Sequence, residues 1–482
     1  MASKRGSVPR LGTQHLRPSI IARMSDWLRC PELDGRSPLS VMAAWPRDTP
    51  LAMLHTNPSD SLGRWSILAA PSGFLEAWAN GGRWIGPKNL EMERAAAQGA
   101  IAALEAVDKA RSKIEYVEGH PPFSEWIMCL HYELGAILEP VACDTPPACD
   151  ESVLTLLHCP DAIVHDRVSN SWWKIGHPPL PCLDSQLGDP MRADGCPSST
   201  PTTTEWPAAV AKAVEYVRAG DVFQVNLTRQ LRVDVSGDTR AFGHAALSEP
   251  QTAFGAFVEL PHCDRAIVSL SPELFLEVDC GGGVTSRPIK GTLPAAEHAD
   301  TLADSAKDAA ELHMIVDLMR NDLGRICTLG SVRVPCPRRI ETYPTVHHGV
   351  SEICGVVRSD VTLVELLAAT FPAGSITGAP KIRAMQIADA LEPLPRGMYC
   401  GAVGFLGPEH SITLSVAIRT AVIDQVTTTP TLSYGVGCGI VAESTPMAEL
   451  AESESKAHVL WRTLSQSCET PVVAAEDQQS PA

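Results

Sequence analysis

Along residues 222–235 the sequence VFQVNLTRQLRVDV alternates, with Phe223, Val225 and Leu227 on one face and Gln224, Asn226 and Thr228 on the other. The stretch SITLSVAIRT repeats the pattern, setting Ile412, Leu414, Val416 and Ile418 opposite Thr413, Ser415 and Arg419. Strands with one apolar and one polar face predict antiparallel sheets whose apolar sides stack. A shorter apolar run, LAMLH at 51–55, reads as a further strand. Helical spacing takes over elsewhere. Val210, Val214 and Val217 recur at helical intervals, with Gly220 where a C-cap belongs. The spacing predicts helices over 90–107, over 302–323 and over 446–464, the last opened by Pro446. The sum is an α+β fold with large antiparallel sheets and helices outside them.

The periodicity stops in HPPLPCLDSQLGDPMRADGCPSSTPTTTEWP, residues 177–207, rich in Pro, Ser, Thr and Gly. This predicts a disordered extension over 1–25, an N-terminal part over 26–176, a linker over 177–205, a C-terminal part over 206–467 and a mobile tail over 468–482. At 482 residues, with 44% hydrophobic and 20% charged positions, the chain can bury a substantial core. Its net charge of −17 argues against a nucleic-acid or anionic-membrane surface, which needs clustered Lys and Arg. Fifteen scattered cysteines, with no C-x-x-C pair, fit free thiols in a reducing cytoplasm better than a zinc site or a disulfide framework. No stretch is apolar enough for a membrane span, and residues 1–25 lack a signal-peptide apolar run.

Four stretches carry candidate chemistry. FPAGSITGAPKIRAM joins a glycine loop to a helix start, where free N–H groups and Lys381 attract an anion; the plain reading is a loop and a cap. In AELAESESKA, Glu449, Glu452 and Lys456 share a helix face. Either Glu452 and Lys456 form an exposed ion pair, or the two carboxylates turn toward a hard divalent cation. Glu311 borders the apolar stripe of Leu312, Ile315, Val316, Met319 and Leu323, as a solvated neighbour of the core or as an opposing metal ligand. Glu273 follows Pro272, a residue that suggests a strand edge or bulge. Lys290, in TSRPIKGTLPA, sits in a strand-and-turn segment and faces either a pocket or water.

In their order, these stretches resemble the chorismate-utilising enzymes, the family of anthranilate synthase and aminodeoxychorismate synthase large subunits. GDVFQVNLTRQ, SPELF, RPIKGTLP, ELHMIVDLMRNDLGR, PTVHHGVSE, FPAGSITGAPKIRAM, RGMYCGAVGF, SITLSVAIRT and GCGIVAESTPMAELAESESKA carry the likeness from about 206 to 465. The fold implied is a layered α/β/β/α sandwich of two large antiparallel sheets with a cleft between them. Both parts of the chain then belong to one architecture.

The lysine in P-I-K-G-T resembles the aminodeoxychorismate synthase branch, whereas anthranilate synthases resemble P-I-A-G-T. The resemblance implies that Lys290 attacks C2 of chorismate while Glu273 protonates the departing C4 hydroxyl. An amine of unperturbed pKa about 10.4 must then lose its proton, and Glu273 needs a raised pKa. Gln224 stands where water-adding isochorismate and salicylate synthases place a lysine base. Glu311 and Glu452, with Glu449 behind them, match Mg²⁺ ligands that hold the ring carboxylate. Arg419 and Tyr399, helped by backbone groups of Gly437 and Gly439, match binders of the other carboxylate. Gly291 and Thr292 match substrate contacts, and His348, Ser375 and Thr377 match polar residues of the pocket. Leu274, Cys438, Leu450 and Ser453 depart from the usual pattern without removing a chemical group.

No stretch resembles a glutaminase, so the implied ammonia donor is a separate glutamine amidotransferase subunit. The implied product is 4-amino-4-deoxychorismate, the precursor of 4-aminobenzoate and folate. Anthranilate synthase component I is the alternative, followed by an isochorismate-type synthase and by an inactive scaffold that activates a glutaminase.

Overall fold

The computed structural model describes residues 27–56, 63–143, 152–181, 187–250 and 252–464. The expected extension over 1–25 and tail over 468–482 lie outside the described residues. Two antiparallel sheets, of 13 and 11 strands, form the centre of the molecule. Both draw on both parts of the chain. Ala52–His55 pairs with Phe254–Leu260 in the larger sheet, and Trp126–Leu130 pairs with Ala402–Leu406 in the smaller.

The layers follow from which side chains meet. Ile67 and Val258 of the larger sheet pack on Ile127 and Val403 of the smaller one. On the outside, Leu68, Val268 and Leu432 lie against the helix residues Val41, Phe242 and Leu460. Met128 and Leu414 lie against Leu104, Leu323 and Leu367. Central strands are therefore apolar on both faces, which is why runs such as AMLH do not alternate. The arrangement is the α/β/β/α sandwich.

Two of the places where the chain crosses from sheet to sheet lie side by side. Arg265–Ser271 belongs to the larger sheet and Leu274–Val278 to the smaller, so Pro272 and Glu273 form the crossing. Ile412–Val416 and Thr420–Asp424 make the same transfer in reverse through Ala417–Arg419. Leu270 N donates to Arg419 O at 3.0 Å and Val416 N to Glu273 O at 3.1 Å, locking the crossings side by side. Pro272 thus marks a change of sheet. The following strand bulges next to it but is no edge, because it has a neighbour on each side.

Several expectations shift for local reasons. The helix expected over 90–107 splits at Gly99, whose φ of +104° and close approach to Ala79 O exclude a side chain. The helix over 302–323 becomes Ala299–Ala303 and Ala306–Gly324, because Ser305 caps the second by accepting from Asp308 N. The alternation over 411–420 breaks after Val416 at the crossing, with Arg419 at φ +52°. Phe223 does not join Val225 and Leu227 in the core but stands 72% exposed. The linker over 177–205 is partly built into the fold. Arg192–Ala193 and Ser198–Thr200 pair with the long strand Gln224–Ser236, whose free edge takes up their polar backbone.

A buried ion pair fastens the floor of the cleft. Arg396 makes two hydrogen bonds to Glu392, at 2.7 and 2.8 Å, and donates to Ile376 O and Asn226 O. It also lies 4.2 Å over the Tyr132 ring. Glu392 in turn accepts from Thr228 N. Removing one member strands the other charge in the interior, so Glu392→Ala is expected to cost about 3–5 kcal/mol. Urea unfolding of both proteins measures that loss.

Candidate active site

The cleft lies where the two crossings, the strand Ile289–Pro294, the loop Gly374–Ile376 and the helices Ala306–Gly324 and Pro446–Trp461 come together. Lys290 enters it from the strand. Its Nζ donates to Ser375 O at 2.9 Å. Burial holds its pKa below the ordinary lysine value, against the opposing pull of Glu311, Glu273 and Glu452 and with the help of the Lys456 charge. The lysine faces an acid-lined pocket rather than water.

Glu273 hangs from the first crossing and is 4% exposed. Burial lifts its pKa to about 7, although the Ser375 hydroxyl, the Lys290 charge and the Ile289 N–H pull the other way. A carboxyl that keeps its proton near neutrality beside an amine whose pKa burial lowers suits an acid and nucleophile pair.

Three carboxylates line the other wall. Glu311 projects from Ala306–Gly324, 3.9 Å from Lys307, and burial with nearby Asp308 and Glu452 pushes its pKa up. Glu449 is buried, and its carboxylate lies with that of Glu452 and the Cys438 thiol in one group whose potential ligand atoms are all within 4.8 Å. Glu449 and Glu452 held together in this way fit a hard divalent cation such as Mg²⁺, which takes oxygen ligands, whereas Glu311 lies outside that group. The thiol does not fit that ion. Cys438 Sγ already donates to Glu449 O at 3.3 Å, and burial pushes its pKa upward.

The remaining predicted residues divide. Thr292 Oγ1 lies 2.9 Å from His348 Nδ1, and burial with the Arg419 charge lowers the His348 pKa to about 3, so this imidazole is neutral. Gly291 has φ +81°, and a side chain there would meet Leu302 and Asp308. Gln224 is fully buried with neither amide atom hydrogen-bonded among the described residues, and Gly439 leaves it room. Tyr399 packs over Gly435, which a side chain would displace. Gly437 O accepts from Lys456.

Two residues differ from expectation. The Lys381 ammonium is neutralised by Asp322 at 2.7 Å and donates to Thr370 O, so it fastens the helix start instead of adding free charge for an anion. The Thr377 hydroxyl donates to Ala373 O within its own loop.

Lys456 is the residue that sequence reasoning undervalued. The helical spacing gave it only a surface ion pair. That pair exists, at 2.7 Å from Glu452, but the amine also reaches Gly437 O across the cleft. Its proximity to GCG was the signal that helical spacing alone did not convey.

Known proteins resemble this chain in sequence and in fold. A family model described as chorismate binding enzyme matches residues 77–462. The chain is 40% identical over 282 residues to aminodeoxychorismate synthase component 1 of Salmonella typhimurium, covering 57% of this chain and 61% of that protein. It is 32% identical over 452 residues to the aminodeoxychorismate synthase of Streptomyces griseus, covering 86% of this chain and 61% of the relative. It thus spans about three fifths of the length of these curated relatives. Among solved structures, anthranilate synthase component I of Streptococcus pneumoniae superposes with a TM-score of 0.70 at 25% identity, covering 84% of this chain and 93% of that one.

Proposed function

The chain belongs to the chorismate binding enzyme family, and from that premise we propose that it is the ammonia-transferring component of an aminodeoxychorismate synthase. The observation that carries the reading is Lys290, a buried amine with a lowered pKa beside a carboxyl whose pKa is about 7. A small residue at 290 would leave the cleft without a nucleophile.

The neutral Lys290 amine forms a bond to C2 of chorismate, the ring electrons shift, and the C4–O bond breaks. Glu273 gives its proton to the departing oxygen, which leaves as water. Ammonia then adds at C4, the electrons return, the C2–N bond breaks to release the neutral Lys290 amine, and the new C4 ammonium gives a proton back to Glu273. Glu311 and Glu452, with Glu449 behind them, would hold Mg²⁺, whose charge would anchor the ring carboxylate. Arg419 and Tyr399 are assigned to the second carboxylate, and Thr292, His348 and Gln224 to the polar edge of the substrate. The ammonia comes from a separate glutamine amidotransferase. No helix among the described residues is long and apolar enough to cross a membrane.

The runner-up is anthranilate formation, favoured by the likeness to anthranilate synthase component I. Product analysis by mass spectrometry with chorismate, Mg²⁺ and ammonium separates the two. A product with nitrogen at C4 and the enolpyruvyl group retained is expected. Accumulation of anthranilate, which has lost pyruvate, would falsify the proposal.

A further inference from the structure

We propose that Glu76, His262 and Cys263 form a second metal site, separate from the cleft, that takes a zinc-class ion and clips the two sheets together. Glu76 lies on Gly73–Trp78 of the 11-stranded sheet. His262 and Cys263 lie in the turn Pro261–Cys263, which joins two strands of the 13-stranded sheet. Their potential ligand atoms all fall within 4.8 Å of one another. Small side-chain rotations bring such a set to tetrahedral spacing, with metal bonds of about 2.0–2.3 Å.

The imidazole is the strongest sign. The His262 side chain is 4% exposed, and neither ring nitrogen has a hydrogen-bond partner among the described residues. Nε2 stands 3.3 Å from Glu76 Oε1 without hydrogen-bond alignment. Buried polar atoms left in this way are uncommon, and a bound ion is one way to satisfy them. Glu76 is already oriented for the task. Arg83 holds its Oε2 through Nε at 2.8 Å, which leaves Oε1 turned toward the histidine. Metal-bound carboxylates are commonly steadied by such an outer hydrogen bond. Phe74 covers the histidine ring, with centroids 4.6 Å apart, and shields one side of the site from water.

The donor set selects the ion. One sulfur, one nitrogen and one oxygen suit zinc or cobalt and not magnesium, which prefers oxygen throughout. Three protein ligands leave a fourth position for water. Binding breaks the 3.5 Å hydrogen bond from Cys263 Sγ to Leu260 O, deprotonates a thiol that burial and Glu76 hold up at a pKa of about 11, and releases one proton to solvent.

The test uses the full-length protein, stripped with EDTA and titrated with Co²⁺, whose bond to a thiolate gives a near-ultraviolet charge-transfer absorption. One equivalent should produce that band in the parent protein and in Cys438→Ser, because Cys438 belongs to the catalytic cleft. Cys263→Ser should lose the band, and His262→Gln should weaken Co²⁺ binding at least tenfold. Zn²⁺ should raise the melting temperature of the parent and not of Cys263→Ser. No band in the parent, a band that survives in Cys263→Ser, or one lost only in Cys438→Ser overturns the proposal.

Discussion

Lys290→Ala is expected to reduce aminodeoxychorismate formation by at least about 10³-fold with saturating ammonium and Mg²⁺, because removing a covalent nucleophile forfeits the whole two-step path. Chorismate binding should change far less, since the carboxylate contacts assigned to Arg419, Tyr399 and the metal do not involve this amine. The substitution also removes a buried amine that strains against desolvation. The folded protein should therefore keep its melting temperature. Steady-state kinetics and a thermal melt together distinguish a lost nucleophile from a lost fold. Full activity without an added amine would show that the lysine does not act covalently.

Glu273→Gln should slow turnover by about 10²–10⁴-fold, the usual worth of a positioned general acid. It should also change the shape of the pH profile. In the parent protein, activity needs a proton on Glu273 and none on Lys290. Loss of the Glu273 proton, held at a pKa of about 7, lowers activity as pH rises, and protonation of Lys290, whose pKa burial holds below the ordinary amine value, lowers it as pH falls. The two groups interact, so the limbs belong to the pair and not to either residue alone. Glutamine removes the alkaline limb and leaves a rate that only rises with pH. Stability moves in step. A carboxyl raised in the folded state contributes most below its unfolded value of 4.5, and that contribution is lost as pH rises through about 7. Glu273→Gln should accordingly be more resistant to urea than the parent at pH 8.

Period-2 alternation revealed strands such as Gln224–Ser236 because a sheet face facing a cleft keeps polar residues there. Gln224, Asn226 and Thr228 keep their polar side chains although all three are buried. Alternation could not reveal that two strands change sheets. At Pro272–Glu273 and Ala417–Arg419 both ends of the run are apolar, and only the pairing partners show the transfer. Those crossings matter most for function, because they deliver Glu273 and Arg419 to the same cleft. The helix breaks at Gly99 and Ser305 were visible as residue types, but apolar spacing continued across them and hid the change.

Site residues were legible to different degrees. Lys290 stood out through its neighbours Pro288 and Gly291, whereas its burial depends on Ser375, 85 positions away in sequence. Lys381 misled because a helix start with a basic residue looks the same whether or not an aspartate such as Asp322 faces it. Lys456 misled in the opposite direction, as its second partner, Gly437, lies 19 positions away on another element.

The most direct test is a mass measurement of the protein mixed with chorismate and Mg²⁺ in the absence of any ammonia source, followed by peptide mapping. Covalent attack predicts an added mass of chorismate less one water, confined to the peptide that contains Lys290 and absent from Lys290→Ala. An unmodified protein that nevertheless turns chorismate over once ammonium is supplied, or an adduct on a different residue, would contradict the account.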